Sequence, residues 1–542
     1  MTAKSRFRTS AFALANGMAL MTITAPAAAQ EIAPVVRIDA GQVEGKALPS
    51  GVNAFLGIPY AAPPVRDLRW RDPAAVQPFA ATFHADRYAP QCPQPSRNAM
   101  ANQYSGAEVT SEDCLYLNVW AKPGLTKAPV IVFIHGGAFF IGAGSMPIYG
   151  GETVAQRGAV FVNLNYRLGV LGFLAHPDLS QESPHQTSGN YGFLDQIAAL
   201  RWVHDNIAQF GGDPDNVTIA GQSAGSMAVL ALQASPLAAG LFQRAVGMSG
   251  AAMRSTGPFA LRPLPQGEAE GLKFQQLVNA DSLAEMRNLP VDRLTLPRVP
   301  GAPAIGAIQD GHVLTAPIET TFAEGKQNDV PLLLGFTRDE ALGGFGAIDG
   351  LADYRERAAE RFGERADLFL TLYPAQSDQE ARMQARLADR DSTMVAPMFQ
   401  WALAQGARGR APVYSYMYAH PHSYAPDVTF SDLDPATAGA YHTSEVPFWL
   451  GTLDSFNQYR HTRAWTADDQ ALSTTMTEAL IAFARNGNPA GAGLDFRSFD
   501  KTKPELLKLD TVSRQAPWPD SRKLAFFYDM PLAPIVVRNV QD

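Results

Sequence analysis

The pentapeptide Gly221-Gln222-Ser223-Ala224-Gly225 has the form Gly-x-Ser-x-Gly, a spacing of residue types suited to covalent chemistry at a serine. A serine hydroxyl is best presented on a sharp strand-to-helix turn whose neighbours are small enough for the backbone to pack tightly. The flanks fit that demand. Val217-Thr218-Ile219-Ala220 reads as a strand before the turn, and Ala224 to Leu232 as a small-residue helix after it. Acyl transfer at such a serine also needs donors for a developing oxyanion, and losing one typically costs about 2.7–4 kcal/mol of transition-state stabilisation. His135-Gly136-Gly137-Ala138 follows an apolar run ending at Ile134, where glycines leave backbone N–H groups open to a ligand. Gly137 and Ala138 are therefore candidate donors, together with the N–H of Ala224.

A serine nucleophile on this kind of turn is followed along the chain by an acid and then a histidine. The strand Pro331 to Leu334 leads into Gly335-Phe336-Thr337-Arg338-Asp339-Glu340, so Asp339 and Glu340 are the acid candidates. Of the ten histidines, His420, His422, His442 and His461 then lie far enough along. His442 sits in a polar loop, Tyr441-His442-Thr443-Ser444-Glu445, just before the apolar run Val446 to Leu450. His420 and His422 flank a proline after a strand. Spacing alone separates neither the two acids nor these histidines.

Positioning such groups requires a rigid scaffold. Val130 to Ile134 and Val160 to Leu164 are continuous apolar runs, as expected of strands buried on both faces. Leu194 to Phe210 carries apolar residues at helical spacing and stops at Gly211-Gly212. Further strands are expected over Ala245 to Met248, Pro331 to Leu334 and Pro412 to Tyr418. The alternation predicts an α/β protein: a mostly parallel sheet with helices on both faces. The stretch Leu261 to Pro303 is rich in proline and charge. Its spaced leucines Leu272, Leu277, Leu283 and Leu289 argue for helices and loops inserted into one domain rather than a linker.

The 542 residues are 46% hydrophobic and 18% charged, a globular composition. With a net charge of −8 and no basic stripe, no nucleic-acid partner is expected. Lys4, Arg6 and Arg8, the apolar stretch Ala11 to Leu20 and the small residues Ala27-Ala28-Ala29 read as a cleaved signal over 1–29. The apolar run is too short for a membrane anchor. That leaves one domain over 30–542, exported to the periplasm or medium. Cys92 and Cys114 are the only cysteines, and in an exported chain such a pair reads as a disulfide. No metal-ligand or nucleotide-binding motif occurs, so neither metal nor cofactor is expected. The sequon Asn216-Val217-Thr218 falls at the start of a strand and is read as coincidental.

Longer motifs carry a family resemblance. The segment from Phe210-Gly211-Gly212-Asp213-Pro214 through Ser223 to Gly225 resembles the serine signature of type-B carboxylesterases. Glu112-Asp113-Cys114-Leu115-Tyr116-Leu117-Asn118-Val119-Trp120 is similar to that family's second signature. Phe55-Leu56-Gly57-Ile58-Pro59-Tyr60, Gly189-Asn190-Tyr191-Gly192 and Phe483-Ala484-Arg485-Asn486-Gly487-Asn488-Pro489 resemble further landmarks. The likeness runs from about residue 35 to 530 and implies an α/β-hydrolase fold. It implies Glu340 as the acid and His442 as the histidine, with oxyanion donors at Gly137, Ala138 and Ala224. It also implies a Cys92–Cys114 disulfide and an Arg69–Glu112 ion pair. The activity implied is serine-dependent hydrolysis of a small-molecule ester.

Two departures bear on the substrate. Gln222 stands where much of the family has glutamate, and the loop from Cys92 to Cys114 has no tryptophan to hold a cation. Neutral alkyl or aryl esters are therefore expected, with Phe139, Phe140 and Gln222 as substrate-binding candidates. A non-catalytic binding domain of the same fold is the alternative. Amide, thioester or lactone hydrolysis by the same residues is another.

Overall fold

The computed structural model describes residues 33–528, apart from 104–105, 107–108, 254–259, 297–298, 300 and 492. The expected signal over 1–29 lies outside the described residues. Eleven strands form the central sheet: β1 (Lys46–Ala47), β2 (Asn53–Pro59), β3 (Tyr116–Ala121), β4 (Ala128–Ile134), β5 (Val160–Leu164), β6 (Gly212–Gln222), β7 (Arg244–Met248), β8 (Leu332–Thr337), β9 (Val413–Tyr418), β10 (Glu505–Leu509) and β11 (Arg514–Pro517). Their spatial order is β1-β2-β3-β5-β4-β6-β7-β8-β9-β10-β11. Every neighbouring pair from β5 to β10 is parallel, and the outer pairs are antiparallel.

Period-two alternation sends successive side chains into two different cores. In β4, Val130, Val132 and Ile134 join one core, while Ile131 and Phe133 join the other. The first core is completed by α1 (Tyr191–Asn206) and α2 (Ala224–Ala234), through residues such as Ile197, Leu200, Val229 and Leu230. On the opposite face, α4 (Ala467–Asn486) contributes Met476, Leu480 and Phe483; a third helix of interest, α3 (Leu264–Leu277), lies in the insertion. With both faces covered, central strands have no polar side to show, which is why they read as unbroken apolar runs.

The structure departs from the sequence reading in three places. Strand β6 begins at Gly212 rather than Val217, because its first residues, including Asp213 and Asp215, pair irregularly with β4 and keep polar side chains. Helix α1 begins at Tyr191, directly after Asn190 in the left-handed region. Within the insertion, Leu272 and Leu277 are 44% and 48% exposed, so they do not build its core. The buried face of α3 is instead Gly267, Gly271 and Phe274. A β-carbon at Gly271 would lie 1.8 Å from the Ala175 carbonyl oxygen, so the helix packs through a bare backbone. Glycine carries no hydrophobic signal, so the sequence did not show this face; the helices expected from the spaced leucines are present at Leu264–Leu277 and Leu283–Asn288, with Leu283 buried. No helix among the described residues is long and apolar enough to cross a membrane.

Candidate active site

The site begins where β6 turns into α2. Ser223 occupies the turn with φ 57° and ψ −123°, a backbone conformation costly for a non-glycine residue. Its N–H donates to the Met248 carbonyl on β7 at 2.8 Å. Both motif glycines are steric requirements. A β-carbon at Gly221 would sit 2.3 Å from the Gly225 carbonyl oxygen, and one at Gly225 would sit 2.1 Å from that of Ile134. Ala224 is the first residue of α2, so its N–H has no helical acceptor and points from the helix's positive end.

The ring of His442 bridges two distant segments. Its Nε2 lies 2.9 Å from Ser223 Oγ and its Nδ1 2.6 Å from Glu340 Oε2. The carboxylate only accepts, so Nδ1 carries the proton and Nε2 is left to accept from the serine. Glu340 is 1% exposed and also accepts from the Thr337 N–H at 3.0 Å. Asp339 faces elsewhere: it pairs with Arg338 and accepts from the Ala440 N–H, anchoring the start of the histidine loop. The other histidines are likewise apart from Ser223. His420 lies against Asp469 and Asp510, His422 is buried behind the loop, and His461 is exposed.

A second buried carboxyl, Glu445, was not singled out by the sequence, where it reads as one more polar loop residue. It is fully buried and accepts from Ser249 Oγ at 3.0 Å through Oε1, while Oε2 has no partner among the described residues. Burial, followed by the charge of Glu340, pushes its pKa up to about 7. Burial works against a charged His442, but the hydrogen bond and charge of Glu340, joined by the charge of Glu445, raise the imidazole above 6.5. Protonated imidazole cannot take the serine's proton, so kcat/KM is expected to fall on the acid side with an apparent pKa above 6.5. Glu445→Gln should move that limb to lower pH. A carboxyl raised in the folded state contributes stability below its ordinary 4.5 and loses it as pH rises through about 7, on the order of 3 kcal/mol. Glu445→Gln should flatten that fall, read as the change in Tm between pH 5 and pH 8.

The His135–Ala138 segment lies against the serine turn, where a β-carbon at Gly136 would fall 2.6 Å from the Gln222 carbonyl oxygen and 3.2 Å from Ser223 Cβ. Gly137 has φ 107°, and its carbonyl accepts from the N–H groups of Phe140 and Ile141, both at 2.9 Å. Ala138 and Phe139 also have positive φ, 56° and 58°, and Ala138 is exposed. Gln94, from the loop between the cysteines, clamps the far end by exchanging hydrogen bonds with Gly142. His135 is buried and stacks on Tyr166 at 4.4 Å, and burial holds it neutral, with a pKa of about 4.

The three substrate-binding candidates divide. Phe139 is half-buried and packs against Phe173 and Phe193 at 5.1 and 5.5 Å, at the edge of the core. Gln222 is 1% exposed, with its Nε2 3.3 Å from His442 Nε2, so its contact is with the histidine. Phe140 lines a cavity. That cavity, about 250 Å³, is walled by Phe140, Leu168, Val170, Leu277, Leu294 and Ile305. Leu277, exposed in the fold, thus has a place here. Cys92 and Cys114 form a disulfide, and Arg69 makes a bidentate pair with Glu112 at 2.7 and 2.6 Å.

A Gly-x-Ser-x-Gly turn on a mostly parallel sheet, with a histidine and carboxylate aligned on its hydroxyl, defines a serine hydrolase of the α/β-hydrolase fold. Comparison with known proteins narrows the class. The carboxylesterase family model matches residues 32–527. Fumonisin B1 esterase of Sphingopyxis macrogoltabida is 37% identical over 86% of this chain and 84% of its own. Para-nitrobenzyl esterase of Bacillus subtilis is 35% identical, over 90% and 97%. A solved PNB esterase structure superposes with a TM-score of 0.75 at 32% identity, covering 91% of this chain and all of its own. The chain belongs to the carboxylesterase family and is a carboxylic ester hydrolase.

Proposed function

We propose that Ser223 is the nucleophile, His442 the general base and acid, and Glu340 the carboxylate that orients and stabilises the imidazolium. The reading rests on the continuous hydrogen-bond chain from Ser223 Oγ through His442 to Glu340. Ser223 Oγ attacks the ester carbonyl while His442 Nε2 takes its proton. The carbonyl oxygen, now negative, is held by the N–H groups of Gly137, Ala138 and Ala224. His442 returns the proton to the departing alkoxide, leaving an acyl-serine. Water then attacks in the same way, the serine regains its proton, and the carboxylic acid is released.

The substrate side is read as a neutral alkyl or aryl ester. The apolar cavity beside Phe140 supports this. The p-nitrobenzyl ester that names one relative is of the same chemical kind. Each methylene that enters an apolar wall is worth about 0.8 kcal/mol, or roughly fourfold in kcat/KM. Esters lengthened on the acyl side and, separately, on the alcohol side should therefore give one series that climbs. Leu296→Asp, at the cavity wall, should flatten that series and leave the other unchanged. Two flat series would remove the neutral-ester reading.

Residues 1–29 are read as an export signal and 30–542 as one domain. The disulfide supports passage through an oxidising compartment. The first residue of protein recovered outside the cytoplasm tests the reading, Gln30 being expected.

A further inference from the structure

Arg463 is fully buried, and among the described residues no carboxylate lies within ion-pair distance of it. A buried charge without a counter-charge is expensive and needs an explanation. Its guanidinium lies instead over three rings, Tyr424 at 4.4 Å, Phe456 at 4.5 Å and Phe430 at 5.1 Å. Its N–H groups reach four residues. Nε donates to His422 Nδ1 at 3.1 Å, Nη1 to the Thr462 carbonyl at 3.3 Å, and Nη2 to Tyr441 Oη at 3.3 Å and to Asn102 Oδ1.

Two of those partners lead to the histidine loop. Tyr441 directly precedes His442. His422, with Nδ1 accepting from Arg463, carries its proton on Nε2 and donates it to the Ser444 carbonyl at 2.8 Å. On the remaining side, Gln103 Nε2 donates to Thr443 Oγ1. Thr443 has φ 80°, a conformation that a threonine keeps only when its surroundings impose it. Residues 441, 443 and 444 are thus each tied down, while the ring of His442 meets Ser223, Glu340 and Gln222. The other ends of the ties converge. Asn102 and Gln103 both belong to the loop that the Cys92–Cys114 disulfide closes.

We infer that Arg463 is a positioning residue for His442: it clamps the histidine loop to the disulfide-closed loop, so that closure of the Cys92–Cys114 ring sets the alignment of the imidazole. The inference rests on the reading of His442 as general base. His422 braces the same clamp through Ser444 and stays neutral, because burial, and then the Arg463 charge, hold its pKa well below 6.5.

Arg463→Met separates positioning from packing, because it removes the charge and the hydrogen bonds but keeps an unbranched apolar stem. A merely structural arginine would leave kcat and the acid limb unchanged in the folded variant. For a positioning residue, kcat should fall tenfold or more with KM within about twofold, and the acid limb of kcat/KM should move to lower pH as the Glu340 bond loosens. Arg463→Lys should recover part of the loss. Asn102→Ala should lower kcat in the oxidised protein and add nothing in Cys92→Ser/Cys114→Ser, where the loop is already released. If Arg463→Met does not fold, Tyr441→Phe, which removes one hydroxyl, decides by the same readouts. Wild-type kcat and an unmoved acid limb in the folded variant overturn the inference. His442→Ala is measured alongside: full activity there removes the general-base reading itself, whatever Arg463 does.

Discussion

Ser223→Ala should lower kcat/KM for any ester by a factor on the order of 10⁴ to 10⁶ while leaving the fold intact. The size follows from the chemistry. Without the hydroxyl no acyl-enzyme forms, and hydrolysis falls back on water attacking a carbonyl held only by oxyanion donors and binding. The fold is expected to survive because the hydroxyl's hydrogen bond runs to His442 Nε2 alone among the described residues, at a partly exposed position. Thermal unfolding should therefore differ from wild type by a few degrees at most. The burst of alcohol release in a stopped-flow trace should disappear with the activity. His442→Ala should cost nearly as much, and the double variant should fall little below either single one, because residues acting as one unit are far from additive. Substantial turnover by folded Ser223→Ala would remove the acyl-enzyme mechanism.

What could be read from the sequence follows from how far each signal reaches along the chain. The strands of the parallel core announce themselves because burial on both faces leaves only apolar residues, as in Val130–Ile134. The serine turn is nearly as local: Gly221 is demanded by the Gly225 carbonyl four residues on, although Gly225 is demanded by Ile134 on the neighbouring strand. The remainder depends on contacts across hundreds of residues. His442 meets Ser223 over a separation of 219 and Glu340 over 102. No periodicity encodes such meetings, so residue spacing left two acids and four histidines open, and resemblance to a family narrowed them. Glu445 and Arg463 were missed for a related reason. Each is an ordinary polar residue in a polar stretch, and only the fold buries it. The spaced leucines of the 261–303 insertion marked its helices, Leu264–Leu277 and Leu283–Asn288, but not the buried face of the first, which is Gly267, Gly271 and Phe274.

Gly137→Ala should lower kcat/KM by a factor between about 10² and 10⁴, with KM nearly unchanged and the protein folded. The position admits no side chain. A β-carbon there would fall 1.9 Å from the Ile141 carbonyl oxygen, against a backbone that cannot swing aside as a side-chain tip could. Its φ of 107° adds strain for any L residue. The turn from 137 to 141 must open, disturbing the hydrogen bonds that the Gly137 carbonyl accepts from Phe140 and Ile141. The N–H groups of Gly137 and Ala138 move with it. One misplaced donor typically costs 10²- to 10³-fold, and here two are displaced while Ala224, fixed by its helix, stays. On the proposed assignment the loss should fall on kcat, because the donors would meet an oxygen that becomes negative only as the serine adds. Ala138→Gly is the matched control. It keeps the N–H, relieves a positive φ and should stay within a few-fold of wild type. If Gly137→Ala were folded and as active as Ala138→Gly, the oxyanion could not be resting on this loop. Stabilisation would then have to come from the Ala224 N–H and the start of its helix.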